Sequence, residues 1–215
     1  MYIAVEGVIG VGKTTLARLL QPSFNANMLL EVFEENPFLS SFYHDRARYA
    51  FQTQMFFLLS RYHQQRRGVA ELLQENKTLI SDYTFDKDAL FARANLGGDE
   101  LEMYYNLHAA LAEKIIPPDL VVYLRASTGT LMNRITLRDR PYERAMERGY
   151  IDILNQAYDA FFLHPDAGFE ILVIDTNELD FVHNSEDLQW IDNRIRQRLQ
   201  LPPFQIELPM DQEDE

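Results

Sequence analysis

Apolar runs of strand length alternate along the chain with longer segments in which apolar residues recur at helical spacing. The strand-length runs cover residues 2–5, 28–33, 78–84, 119–124 and 170–175. Helical patterns cover residues 15–20, 42–73, 100–116, 150–162 and 186–199, and the segment 42–73 can be one long helix or two. Two further helices are predicted: one begins at 86–92 and ends at Gly97-Gly98, and the other is capped by Ser127. Strands that alternate with helices predict the α/β class, with one parallel sheet covered by helices on both faces.

The chain has a length typical of a single domain, at 215 residues, and it shows no internal repeat or linker. We expect the domain to span residues 1–204, followed by an acidic tail at 205–215.

Charge and composition exclude several classes of binding partner and metal site. The net charge of −13 argues against a nucleic-acid polymer, because binding to a phosphate backbone requires clustered Lys and Arg. Cysteine is absent, so neither a disulfide nor a thiolate metal site can form. No run approaches the roughly 18 apolar residues of a membrane span, and the first residues lack the basic start of a signal peptide. We therefore expect a cytoplasmic protein without a membrane partner.

Residues 7–14 match the phosphate-binding loop G-x-x-x-x-G-K-[ST], between a predicted strand and a predicted helix. Its glycines let backbone N–H groups turn toward phosphate oxygens, and the helix N-terminus adds a favourable dipole. Lys13 is expected to reach the β- and γ-phosphates and Thr14 to bind Mg²⁺. The alternative is a glycine-rich turn without a ligand. The predicted ATP-binding residues of the loop are Gly7, Val8, Ile9, Gly10, Val11, Gly12, Lys13, Thr14 and Thr15.

Carboxylates follow two predicted strands, at Glu34-Glu35 and at Asp82. Ligands of parallel α/β sheets bind at the carboxyl ends of the strands, so these groups and the phosphate loop can share one crevice. Asp82 can serve Mg²⁺ or the attacking group, although an Asp in this position is as often a helix cap.

Further candidates are basic or amide side chains. Arg134, Arg138 and Arg140 can form a lid over a triphosphate at about 134–148, or a solvated basic helix end. Gln54 and Arg61 lie about two helical turns apart and share one face of a helix, where both can also be merely solvated.

These motifs together resemble the deoxyribonucleoside kinases, and most closely the bacterial deoxyguanosine/deoxyadenosine kinases. The resemblance implies a single P-loop kinase domain with an Arg-rich lid. It rests on five blocks in this order: residues 7–14, residues 34–39 with Phe42-Tyr43, residues 51–54 with 60–62, residues 81–84 with Phe91-Ala92, and residues 134–140 with Glu143.

The resemblance implies catalytic roles for Glu34, Asp82, Arg138 and Lys13. Glu34 would be the general base, with Glu35 as the alternative because this corner aligns ambiguously by one residue. Asp82 would lie near the 5′-hydroxyl and near Mg²⁺, which it would bind directly or through water. Tyr83 stands where the family carries an arginine, so we expect the lid arginines to carry more of the phosphate contacts.

The resemblance also implies the substrate contacts. Tyr43 and Glu143 would hold the sugar 3′-hydroxyl, and Gln54 and Arg61 would read the base. Asp88, or Lys87 if the gap falls differently, would complete base recognition. Arg134, Arg138 and Arg140 would grip the phosphates, and Tyr83 would lie beside the substrate.

The function thus expected is ATP- and Mg²⁺-dependent phosphorylation of a purine deoxynucleoside, deoxyguanosine and/or deoxyadenosine, at the 5′-hydroxyl. The family likeness also implies a homodimer, with the helices at 42–73 and 100–116 as plausible faces. One alternative is a nucleoside monophosphate kinase such as thymidylate kinase, which Tyr83 disfavours because an arginine would be expected there. The other is a nucleotide-binding interaction protein without catalysis.

Overall fold

The computed structural model describes residues 1–74, 78–164 and 168–204. The predicted acidic tail at 205–215 lies outside the described residues. The strands are β1 (Tyr2–Glu6), β2 (Ala26–Leu29), β3 (Thr78–Ser81), β4 (Leu120–Arg125) and β5 (Ile171–Asp175). The helices are α1 (Lys13–Leu20), α2 (Leu39–His44), α3 (Arg46–Gln74), α4 (Lys87–Asn95), α5 (Gly98–Ala112), α6 (Thr128–Arg138), α7 (Arg148–Phe162) and α8 (Ser185–Arg198), with 3₁₀ turns at Phe33–Glu35 and Pro141–Glu143.

The strands form one parallel sheet in the order β2-β3-β1-β4-β5, which confirms the predicted α/β class. Every residue of β1 is buried, because β1 lies in the centre of the sheet. The chain builds β2 and β3 on one side of β1 and β4 and β5 on the other. A crevice therefore opens at the carboxyl end of β1, where the phosphate loop begins.

Two predicted boundaries shift in ways that matter for the site. The apolar run at 28–33 is not a single strand, because β2 ends at Leu29 and residues 33–35 form a 3₁₀ turn. The segment 42–73 is divided between two helices, because α2 ends at His44 and α3 begins at Arg46, with Asp45 outside both helices. The Asp45 carboxylate accepts a hydrogen bond from Arg48 N at 3.2 Å, so it caps the start of α3.

Two apolar clusters pack against the sheet. The larger one contains residues from β1, β4, α1, α6 and α7, and the smaller one includes Tyr2, Leu79 and Tyr83. None of the helices in the described part of the chain is long and apolar enough to cross a membrane.

Candidate active site

The phosphate loop follows β1 and closes on itself through Lys13. The Lys13 ammonium donates hydrogen bonds to the carbonyl oxygens of Gly7 at 2.7 Å and Val8 at 3.3 Å. Gly7 has φ 146° and Gly12, which caps α1, has φ 105°, so both positions suit glycine. Burial, followed by the proximity of Lys87, lowers the pKa of Lys13 to about 8. The loop thus holds a cation where a phosphate would lie.

Glu6 joins this loop to the segment after β3. One carboxylate oxygen accepts a hydrogen bond from Gly7 N at 3.0 Å, and the other accepts from Thr84 N at 2.6 Å and the Thr84 hydroxyl at 3.1 Å. Glu6 is fully buried, and this burial raises its pKa. The three hydrogen bonds fix the start of the loop relative to the residues that follow Asp82.

Asp82 connects the loop to the end of β2. Its carboxylate accepts a hydrogen bond from the Thr14 hydroxyl and another from Glu31 N at 2.8 Å. Thr14 and Asp82 therefore offer two adjacent oxygen ligands of the type that Mg²⁺ prefers. Among the residues that the structure describes, no group of three or more His, Cys, Asp or Glu side chains is arranged to hold a metal. This donor set suits an ion held mainly by substrate phosphates and water.

Glu31 is the acidic residue that reaches the crevice from the end of β2. Its carboxylate forms ion pairs with Arg61 of α3 and Lys87 of α4. Burial by itself would raise the pKa of Glu31, but the ion pairs with Arg61 and Lys87 outweigh burial and lower it well below its usual range. Glu31 is therefore a carboxylate anion near neutral pH, held at a defined position by two cations.

Glu34 and Glu35 lie outside the crevice, in contrast to the prediction that one of them is the general base beside the substrate 5′-hydroxyl. Both lie on the 3₁₀ turn and are exposed, and neither lines the cavity. The apolar pattern placed Glu34 and Glu35 at the end of the strand, because the run up to Phe33 reads as one strand despite Glu31. Because β2 ends before Glu31, the Glu31 side chain can reach the crevice.

One cavity brings together most of the predicted site residues. The predicted residues that line it are Ile9, Gly10, Lys13, Thr14, Tyr43, Gln54, Arg61, Asp82, Arg138, Arg140 and Glu143, and Lys87 lines it as well. Residues for which the sequence predicted no site role complete the wall: Glu31, Phe33, Leu39, Phe57, Phe91 and Tyr142. The cavity thus combines a phosphate loop, carboxylates and an aromatic wall.

The far end of this cavity is built from α3 and α4. Gln54 is buried, and its side-chain oxygen accepts no hydrogen bond from the described residues. Arg61 forms ion pairs with both Glu31 and the fully buried Asp88. A buried amide without a partner is costly, so Gln54 is suited to a polar ligand that enters the cavity.

Tyr83 does not lie beside this cavity, in contrast to the prediction. Its ring packs in the smaller apolar cluster, and its hydroxyl donates to the Gln64 side chain at 2.7 Å. Asp82 lines the cavity, and the next side chain, Tyr83, packs in the core instead.

The predicted lid arginines separate into two groups. Arg138 donates to both carboxylate oxygens of Glu143, at 2.6 and 2.7 Å, and Arg140 lies 3.7 Å from the same carboxylate. Arg134 instead donates to the carbonyl oxygens of Thr176 at 2.6 Å and Val11 at 3.3 Å. Arg134 therefore braces the phosphate loop against the end of β5.

A second hollow adjoins the first on the other side of the loop. Both hollows are lined by Gly10 and Arg138. The second is lined by Gly10, Val11, Gly12, Thr15, Arg134, Arg138, Leu179, Asp180, Phe181 and Val182. Phe181 packs so closely on the loop that a Cβ at Gly12 would lie 2.9 Å from its ring. The two hollows give room for two ligands that meet at the phosphate loop.

Comparison with known proteins agrees with this arrangement. Residues 3–200 match the deoxynucleoside kinase family. A deoxyguanosine kinase of Bacillus subtilis (strain 168) is 34% identical over 199 residues, which cover 91% of this chain and 96% of the relative. A deoxyadenosine kinase of Dictyostelium discoideum is 32% identical, with 88% of this chain and 77% of the relative covered.

A solved structure of a deoxynucleoside kinase is also similar to this chain. The structure of deoxyadenosine kinase from M. mycoides with bound dCTP superposes with a TM-score of 0.78 at 27% identity, and the match covers 92% of this chain and 100% of the other. These matches favour nucleoside phosphorylation over a monophosphate kinase or a non-catalytic binder. The protein is therefore a phosphotransferase, and its chain belongs to the deoxynucleoside kinase family.

Proposed function

We propose that the protein transfers the γ-phosphoryl group of ATP to the 5′-hydroxyl of a purine deoxynucleoside, deoxyguanosine and/or deoxyadenosine. The observation that carries this proposal is the position of Glu31. This carboxylate, with 11% of its side chain exposed, lines the same cavity as Lys13 of the phosphate loop, and Asp82 hydrogen-bonds the backbone of Glu31 and the hydroxyl of Thr14. An acceptor hydroxyl between Glu31 and Lys13 would lie beside the terminal phosphate of the donor.

The chemistry requires mainly positioning and charge neutralisation, because phosphoryl transfer passes through a loose transition state. Lys13, Arg138 and Arg140 are the cations proposed to contact the donor phosphates. Thr14 and Asp82 would hold Mg²⁺, which would neutralise phosphate charge when bound. Glu31 accepts the hydroxyl proton late in the transfer, so its low pKa is compatible with this role.

Base selection is proposed to depend on Gln54 and Arg61. A glutamine amide both donates and accepts hydrogen bonds, and the unpartnered oxygen of Gln54 is free to accept one from a base amine. Arg61, which can only donate, suits an acceptor atom of a purine ring. The relatives named deoxyguanosine and deoxyadenosine kinases support a purine, and Asp88 would hold Arg61 in place.

Sugar recognition is proposed for Tyr43 and Glu143, which line the same cavity. The Tyr43 ring stacks against Tyr142 with centroids 6.2 Å apart, which orients the Tyr43 hydroxyl. Glu143 binds Arg138, so a sugar hydroxyl that displaces this arginine would release it toward the phosphates. Substrate binding and phosphate contact would thereby be coupled.

The test is phosphorylation of the four deoxynucleosides with ATP and Mg²⁺, followed by ADP release and by chromatography of the product. We expect ADP release only when a deoxynucleoside is present, with deoxyguanosine or deoxyadenosine giving the highest kcat/KM. Activity with deoxynucleoside monophosphates but not with deoxynucleosides would refute the proposal. A clear preference for deoxycytidine or thymidine would refute the purine assignment alone.

We further propose that the protein is a homodimer that buries the exposed apolar residues of α7. Ile153 is 54% exposed, and it lines a groove between α4 and α7 together with Leu90 and Phe161. The sequence pointed instead to α3 and α5, where Leu59 and Met103 are exposed. Large exposed apolar residues beside a groove are typical of protein interfaces.

Light scattering on the purified protein tests this assembly. We expect twice the mass of the chain for the wild type and the mass of one chain for Ile153→Glu, because a buried charge opposes association. Met103→Glu is the matched control and should leave the dimer intact. Dissociation by Met103→Glu alone would move the interface to α5, and a monomeric wild type would refute the proposal.

A further inference from the structure

Lys87 occupies a position that is costly unless it has a specific function. It is the first residue of α4, and it is only 5% exposed. A lysine is unfavourable at a helix N-terminus, because the helix dipole places positive partial charge there. Burial of an ammonium group adds a desolvation cost. The ion pair with Glu31 and the charge of the nearby Glu6 carboxylate offset these costs.

The neighbours of Lys87 form a site for an anion. Lys87 and Lys13 line the same cavity, and after burial the proximity of Lys87 is the largest cause of the lowered pKa of Lys13. Two ammonium groups that repel each other across a cavity are stabilised when an anion enters between them. Lys13 lies on the side of the cavity proposed for ATP, the phosphate donor, and Lys87 contacts Glu31 on the side proposed for the deoxynucleoside, the phosphate acceptor.

The other cations of the cavity are held differently. Arg61 lies between two carboxylates, Glu31 and Asp88, and so keeps one of them if Glu31 is neutralised. Arg138 and Arg140 contact Glu143. Within the described ranges, Lys87 forms an ion pair with Glu31 alone. Lys87 is thus the cation whose ion-pair partner is neutralised when Glu31 takes up a proton, and the buried Glu6 carboxylate is the other anion near it.

We propose, on the basis of the function proposed above, that the Lys87 ammonium group leaves its ion pair with Glu31 during the reaction and binds the transferred phosphoryl group. The bond between the 5′-oxygen and its hydrogen breaks, and the proton goes to the Glu31 carboxylate. The bond from the 5′-oxygen to the γ-phosphorus forms, while the bond from that phosphorus to the bridging oxygen breaks and leaves its electron pair on ADP. Glu31 becomes neutral as negative charge arrives on the acceptor, and the Lys87 ammonium moves to that charge.

This assignment changes an expectation drawn from the sequence. Because Tyr83 lacks a positive charge, additional phosphate contacts were expected from the lid arginines. Tyr83 faces the core, and Lys87 of α4 pairs with one oxygen of the Glu31 carboxylate while Arg61 of α3 pairs with the other. Lys87 therefore provides the positive charge near the proposed deoxynucleoside site that Tyr83 cannot provide.

The experiment compares Lys87→Met and Lys87→Gln with the wild type and with Lys114→Met, an exposed lysine outside the cavity. We expect kcat to fall by about 10²–10³-fold in both Lys87 variants, the usual loss when one charge-stabilising donor is removed from an active site. Calorimetry should show deoxynucleoside affinity within about threefold of wild type, because this ligand brings no charge to Lys87. Affinity for the deoxynucleoside monophosphate should fall by at least about tenfold, since its phosphate loses an ion pair. Lys114→Met should match the wild type in all three measurements.

The outcomes separate this inference from the proposed function. A wild type that phosphorylates no deoxynucleoside would refute both. An active wild type with either folded Lys87 variant within about threefold in kcat would overturn the role of Lys87 alone. A fall in kcat without weaker monophosphate binding would also overturn it, because Lys87 would then act only by holding Glu31. Thermal unfolding identifies which variant is folded, and Lys87→Arg should recover part of the lost turnover because it keeps the charge.

Discussion

Glu31→Gln is expected to lower kcat by about 10²–10⁴-fold, because the variant lacks the carboxylate that we propose as the acceptor of the hydroxyl proton. Glutamine has nearly the same shape as glutamate, but its single side-chain oxygen can accept from Arg61 or from Lys87 and not from both, because the two cations bind different oxygens of Glu31. Stopped assays of ADP formation measure the loss, and calorimetry with the deoxynucleoside shows whether binding persists.

The comparison variant is Glu34→Gln, on the exposed turn beyond the cavity. It should keep kcat within about twofold, since surface substitutions usually have small effects. Loss of turnover in Glu34→Gln with full activity in Glu31→Gln would reverse the assignment of the base. Thermal unfolding of Glu31→Gln is a necessary control, because removal of one partner from a buried ion pair can cost about 3–5 kcal/mol.

The second large effect is expected for Gly7→Ala at the start of the phosphate loop. Gly7 has φ 146°, and an added Cβ would collide with the carbonyl oxygen of Leu124 and lie 2.8 Å from Val11 Cγ1. A backbone carbonyl in the centre of the sheet cannot move aside easily. We expect the free energy of unfolding to fall by about 2–4 kcal/mol, from backbone strain and overpacking together. ATP binding should be lost as the loop opens.

Gly149→Ala is the matched control for this substitution. Gly149 lies in the first turn of α7, without a positive φ, and a Cβ there meets no atom within 4 Å. Alanine should stabilise this helix by about 0.5–1 kcal/mol relative to glycine. Denaturant unfolding and calorimetric ATP titrations of both variants provide the measurement. Equal stability and ATP affinity of Gly7→Ala and wild type would contradict the proposed loop geometry.

The phosphate loop could be predicted from the sequence because its geometry is local. Consecutive residues between a strand and a helix form it, and Lys13 bonds to carbonyl groups only five and six positions earlier. The α/β class was predictable for a similar reason, since each element has its own periodicity. The two helices at 42–73 were left open by the pattern, because one Asp in a polar position does not reveal a break.

The acceptor side could not be predicted to the same extent, because it is built by contacts between distant segments. Glu31 lies 51 positions from Asp82 and 56 from Lys87, with which it forms its hydrogen bond and ion pair. No local pattern states that β2 ends at Leu29, which pairs with Ser81 at the last register position of the two strands. The prediction of Glu34 followed from reading the strand four residues too far, to Phe33.

The amino-acid pattern was sufficient to predict the α/β order of elements and the phosphate loop, and the order of the motifs indicated the deoxynucleoside kinase family. Local periodicity and backbone stereochemistry suffice for the first two. The folded structure was needed to show that Glu31 lines the cavity, that Tyr83 faces the core, and that Lys87 binds Glu31. The physical reason is that a strand end and the pairing of buried charges depend on segments that meet only after the sheet has formed.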